Sequence, residues 1–167
     1  MAPSIGTVRY FRDGDAVTFH VAGRGVMQHG LPLRRTTEAL LGDGVRQVRM
    51  DLRDCIYMDS TFLGTLLTIR KMLEARTAGP LTLITPSVPC AKLIQEMGLG
   101  EFIPATDAPY DAAAPWVELK IDNGDAGSFR RNVAQAHEEL AALPGPAAEQ
   151  FKQVIRCMSE ADKPPAK

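Results

Sequence analysis

The spacing of apolar and polar positions changes several times along the chain, and each change marks an element. Residues 7–12 and 16–21 read as strands flanking Asp13-Gly14, a pair suited to the positive φ angles of a tight hairpin turn, so two antiparallel strands open the fold. Leu33, Leu40 and Leu41 among polar neighbours predict a helix over 31–41, stopped by Gly42-Asp43-Gly44. Val48, Met50 and Leu52 then alternate with Gln47, Arg49 and Asp51, the period of a strand over 45–52, and the apolar run 81–84 predicts another. Between them Phe62, Leu63, Leu66, Leu67, Ile69 and Leu73 recur every three or four residues. Thr65, Thr68, Lys71 and Glu74 fall on the other side, which gives an amphipathic helix ending before Gly79-Pro80. A short helix follows over 89–97, with Ala91, Leu93, Ile94 and Met97 inward and Gly98 at its end, and 101–104 reads as a last edge strand.

Strand and helix alternate, and the usual outcome is parallel strands joined by right-handed crossovers. One α/β sheet unit therefore accounts for residues 1–107. The stretch 106–115 lacks apolar periodicity and reads as a linker. The remainder, 108–167, offers a possible strand at 116–121 and a helix with Phe129, Val133, Ala136, Leu140 and Leu143 on one stripe, capped by Ser128. Pro144-Gly145-Pro146 forces a turn into a second helix reaching about residue 161, with Phe151, Val154, Ile155 and Met158 on its apolar seam, and 163–167 should be loose. Such a hairpin either folds back on the sheet unit or serves as a homodimerisation or partner-docking element.

Composition narrows the class. The 167 residues are 45% hydrophobic and 23% charged, the make-up of a globular chain. A net charge of −1 removes the basic footprint that phosphate-backbone binding requires, which argues against nucleic acid. Cys55, Cys90 and Cys157 are widely spaced and outside any metal-ligand pattern, so no metal or cofactor is expected, and their odd number fits a reducing cytoplasm. No basic leader precedes an apolar stretch, and no apolar run nears the roughly 18 residues of a span, so the expectation is a cytoplasmic protein with no membrane attachment.

The chemistry concentrates at Met58-Asp59-Ser60-Thr61-Phe62-Leu63-Gly64, between a strand end and the amphipathic helix. An oxygen on Asp59 or Ser60 there caps the helix, faces the positive end of its dipole, and sits at the C-terminal side of the strands where open α/β sheets place their sites. Capping alone is one sufficient reason for these residues. Phe62 either packs inward or offers an aromatic contact to a partner. Gly23-Arg24-Gly25 lacks the remaining glycine of a phosphate-binding loop and reads as a turn, and His20, His29 and His137 are scattered.

The same run resembles the Asp-Ser-x-Gly-Leu-Gly signature of bacterial anti-sigma-factor antagonists, the STAS family. Gly23 and Asp51, the Thr85-Pro86 turn and Met97-Gly98-Leu99 resemble further landmarks of that family over roughly residues 5–105. Two features depart from it: Phe62 replaces the first glycine, and no acidic residue occurs in Gly23-Arg24-Gly25-Val26. The resemblance implies a STAS-like mixed sheet, an N-terminal hairpin followed by parallel strands, with helices packed on it. It implies a non-catalytic switch in transcription regulation, in which Ser60 is the phosphoacceptor. Asp59, Ser60, Thr61, Phe62 and Leu63 would form the partner-binding surface. The unphosphorylated form would bind a serine kinase/anti-sigma factor, and a serine phosphatase would reverse the modification. Two alternatives stay open: a STAS-like scaffold or ligand-sensing module without phosphorylation, and a small hydrolase with a base such as His29 beside Ser60.

Overall fold

The computed structural model describes residues 4–122, 124–145, 148–149, 151–152 and 156. The first strands, β1 (Thr7–Asp13) and β2 (Ala16–Gly25), pair antiparallel from Thr7↔Ala22 to Asp13↔Ala16. The turn pair is thus Gly14-Asp15, one residue later than the sequence suggests. Gly14 alone of the two takes a positive φ, +62°, the requirement of a hairpin turn with glycine at its first central position. From β2 the chain enters α1 (Met27–Gly42), β3 (Gln47–Met58), α2 (Ser60–Ala75), β4 (Leu81–Ile84) and α3 (Val88–Glu96). The expected edge strand at 101–104 is instead a 3-10 turn, Leu99–Glu101, followed by a two-residue strand β5 (Ala105–Thr106). Gly98 at φ +70° tightens the chain into that turn, and Leu99 and Ile103 are buried by it.

The sheet order is β5-β4-β3-β2-β1-β6, with β2 to β5 parallel and β1 antiparallel to β2. The sixth strand, β6 (Val117–Glu118), comes from the extension and pairs antiparallel with β1 through Arg9↔Glu118 and Tyr10↔Val117. Period-2 alternation then sorts the side chains. Val17, Phe19, Val48, Met50 and Leu52 face the core under the helices. Arg9, Phe11, His20 and Arg53 fall on the opposite face, and the expected linker is folded over them. Tyr110 stacks on Trp116 with centroids 5.6 Å apart, Arg9 Nη2 donates to the Tyr110 hydroxyl at 2.8 Å, and Trp116 meets Phe11 edge-on. On α3, Cys90 and the N-cap Ser87 both donate to the Cys55 carbonyl, which fixes that helix on β3; both thiols are free and buried.

The extension continues into α4 (Ala126–Ala141), which packs along α2 and touches α1. Its N-cap is Asp125, whose Oδ1 accepts from Ser128 N–H at 2.7 Å, so Ser128 lies inside the first turn and is not the cap. Of the expected second helix, Phe151 is described and packs on the core. Val154, Ile155, Cys157, Met158 and the terminal 163–167 lie outside the described residues. No helix among the described residues is long and apolar enough to cross a membrane.

Candidate functional site

The site is built where two helix N-termini converge. Each leaves backbone N–H groups unpaired, and one carboxylate serves both. Asp59 Oδ1 accepts from Phe62 N–H at 2.8 Å as the N-cap of α2, and Oδ2 accepts from Met27 N–H at 2.7 Å in the first turn of α1. The charge therefore sits at the positive ends of two helix dipoles. Asp59 N–H also donates to the Gly25 carbonyl, tying the start of α2 to the end of β2.

His29 completes the entry to α1. Its Nδ1 accepts from Val26 N–H at 3.1 Å, which requires Nε2 to carry the proton, donated to the Gly6 carbonyl at 2.9 Å. His29 is thus a neutral, buried structural residue and not the base expected beside Ser60. That place belongs to His137 of α4, whose Nε2 is 3.0 Å from Ser60 Oγ. Ser60 and Asp59 are each partly exposed.

The three residues that follow turn inward. Thr61 is 2%, Phe62 0% and Leu63 2% exposed, so as folded they lie beneath the surface that Asp59 and Ser60 present. Phe62 lies across Gly25, where an added Cβ would come within 3.2 Å of the ring, and meets His29 edge-on with centroids 6.2 Å apart. A phenylalanine in place of the signature's glycine is therefore accommodated by a glycine on the neighbouring strand and the aromatic edge of His29. Gly64 makes a second close approach, to α4. A Cβ there would collide with the carbonyl of Ala136, so the glycine admits α4 to close range.

The first half of the polar side of α2 is consequently buried, with Thr65 at 0% and Thr68 at 8% exposure, while Lys71 and Glu74 stay exposed. Further along, Lys71 Nζ pairs with Glu139 Oε2 at 2.8 Å across the helix crossing. Of the two roles the sequence leaves open for this extension, α4 takes the first and folds back, and it lands on α2. The involvement of His137 and Glu139 was not legible, because they bear no motif and lie off the apolar stripe of Ala136 and Leu140.

Chemically, Ser60 and His137 have the separation of a hydroxyl and a general base. A triad would need a third group on His137 Nδ1, and that atom is buried without a hydrogen-bond partner among the described residues. No three His, Cys, Asp or Glu side chains are grouped to hold a metal ion among the described residues.

Burial lowers the pKa of both His29 and His137, with the Asp59 charge opposing the shift more weakly. An unfolded histidine titrates near about 6.5, so in acid the unfolded chain binds more protons than the folded one and stability must fall with pH. The contribution is complete above about pH 6.5 and is lost as the pH drops below that value toward the folded-state pKa values. Urea midpoints measured from pH 7.5 to 5 should therefore decline; a flat profile would show both imidazoles to be unperturbed.

The STAS domain model matches residues 15–112. The anti-sigma factor antagonist SpoIIAA in its unphosphorylated form superposes with a TM-score of 0.55 at 23% identity, covering 61% of this chain and 88% of its own. The Bacillus cell fate determinant SpoIIAA in the phosphorylated form gives 0.52 at 21% identity over 61% and 91%. An anti-sigma factor antagonist from Mycobacterium paratuberculosis gives 0.51 at 21% identity over 63% and 87%. No curated protein matches. A domain match spanning more than half the chain, on the strands and helices that carry Asp59 and Ser60, establishes that this protein belongs to the STAS domain family.

Proposed function

We propose that the chain is a phosphorylation-controlled protein-binding switch similar to the anti-sigma factor antagonists, with Ser60 as phosphoacceptor. The observation that carries this reading is the position of Ser60: a partly exposed residue at the start of α2, directly after the aspartate that caps two helices. The partner is a serine kinase/anti-sigma factor that binds the unphosphorylated form, and a serine phosphatase restores that form.

The energetics favour an effect on the complex rather than on the fold. A phosphate adds about −1.5 to −2 charges at pH 7, and attraction to one helix dipole is worth about 0.3–1 kcal/mol. Asp59, already occupying both N-termini, repels the new charge by a comparable amount. Buried unpaired against a partner, the same charge meets an effective desolvation penalty of several kcal/mol. Incubation with an anti-sigma-class serine kinase and ATP, followed by phosphosite mapping, should place phosphate on Ser60 and none on a Ser60→Ala chain. In calorimetry Ser60→Ala should retain the kinase and Ser60→Asp should lose it by at least about tenfold, or about 1.4 kcal/mol. Equal binding by the two variants would refute the switch.

A second reading, a STAS scaffold without phosphorylation, is favoured by one contact: His137 already engages the Ser60 hydroxyl. Absence of phosphate on Ser60 after kinase treatment would select it.

A further inference from the structure

The face of α2 beneath α4 has an unusual make-up for a buried helix contact. Gly64 receives the backbone of Ala136, and the neighbouring positions are threonines. Their hydroxyls are satisfied within α2 itself: Thr65 Oγ1 donates to the Thr61 carbonyl at 2.8 Å and Thr68 Oγ1 to the Gly64 carbonyl at 3.1 Å. That face needs no partner for its polar groups and would tolerate water. The α4 side is less well matched, since Asn132 Nδ2 and His137 Nδ1 are buried without hydrogen-bond partners among the described residues. Docking is held by the burial of Ala136 and Leu140, by Lys71–Glu139, and by His137 on Ser60. On its N-terminal side α4 follows an exposed segment containing Asp122 and Gly124, the latter at φ +62°.

We infer that this face of α2 is the interaction surface of the protein and that α4 occupies it in cis, so that kinase and partner reach Ser60 only in molecules whose α4 has undocked. The inference rests on the reading of Ser60 as phosphoacceptor given above. It also defines the kind of partner: an amphipathic helix repeating the α4 pattern, with a small residue over Gly64, as Ala136 is, and a carboxylate three positions on for Lys71, as Glu139 is. Such a helix competes directly with α4. Because α4 must be released first, the apparent affinity is the intrinsic one reduced by the undocked fraction.

Access to position 60 can be read without any kinase. In a full-length chain carrying Ser60→Cys and Cys157→Ser, a thiol-specific disulfide reagent reports exposure of the new thiol, with the Cys157→Ser chain as background for the buried Cys55 and Cys90. Leu140→Asp, or Glu139→Lys, which sets two cations at the crossing, should raise the reaction rate by about tenfold or more, as the undocked fraction rises. The same α4 variants with Ser60 intact should be phosphorylated faster by the anti-sigma-class kinase with ATP. Circular dichroism checks that each remains folded, and Leu140→Ala replaces any variant that does not. Equal thiol rates with α4 intact and weakened would overturn the gating and leave the switch standing. A faster thiol reaction with no phosphate on Ser60 in any variant would overturn the switch and leave α4 as a cover of the surface.

Discussion

Phe62→Ala is expected to cost about 3–5 kcal/mol, the range for deleting a fully buried aromatic side chain. Set against a total stability of about 5–15 kcal/mol for an ordinary domain, that is enough to leave the chain partly unfolded at 37 °C. The size of the loss follows from how completely the ring is enclosed. Phe62 is wholly buried, lies over the bare Cα of Gly25, and presents its face or edge to His29, itself fixed by hydrogen bonds to Val26 and Gly6. On this side of the ring the neighbours are backbone and a pinned imidazole, which cannot collapse into the vacated space, so part of the cavity persists and adds to the transfer cost. Phe62→Gly, which restores the glycine of the family signature, should be worse still by about 1 kcal/mol of helix propensity. The reciprocal change, Gly25→Ala, brings a methyl within 3.2 Å of the ring and should destabilise the parent. In a Phe62→Ala background that methyl partly fills the cavity. A double-mutant cycle on urea midpoints should therefore show strong coupling, and additivity would disprove the pairing of the two positions.

That pairing illustrates what the sequence discloses and what it withholds. Local periodicity sufficed for β1, α2 and β4 and located α3, although Ala91, read as inward, is exposed. It found only the first parts of β2 and β3, which run on past residues 21 and 52 to Gly25 and Met58: register shifts between His20 and Ala22 and between Gly23 and Arg24 break the alternation there, and Gly23-Arg24-Gly25, read as a turn, is strand. The start of α1 was hidden: the apolar spacing places a helix only from residue 31, yet it begins at Met27 because the remote Asp59 and the local His29 satisfy its entry. Capping at a distance leaves no local mark. The edge strand after α3 was misplaced for a related reason, since Ile103 is buried by a 3-10 turn and not by sheet pairing. At the site, Asp59 and Ser60 were legible from their order before a helix. Their neighbour His137 was not, because 77 positions separate it from Ser60 and only the docking of α4 brings them together. The polar stripe of α2 was legible as a stripe, and the burial of its first half, Thr65 and Thr68, was not, for the same reason.

Replacing Gly64 tests whether that docking is a separable event. In an isolated helix Gly→Ala gains about 1 kcal/mol. Here the sign should reverse, because the added Cβ meets the Ala136 backbone carbonyl, which has no rotamer with which to withdraw, and overpacking of this sort costs about 1–3 kcal/mol. Gly64→Ala should therefore be net destabilising. Gly64→Met and Gly64→Leu, of similar helix propensity to alanine, then give the informative comparison. If α4 is bound as a rigid part of the core, each larger side chain adds to the loss. If α4 leaves as a unit, the clash is relieved on departure, and the loss cannot exceed the free energy with which α4 was docked. Stability by urea titration should then fall from Gly to Ala and level off between Ala and the larger Met and Leu, while the hydrogen-exchange protection of residues 126–141 collapses and that of β2 and β3 persists. A steady decline through the series, with α4 and the strands losing protection together, would show that the helix is integral to the fold and does not act as a cover on it.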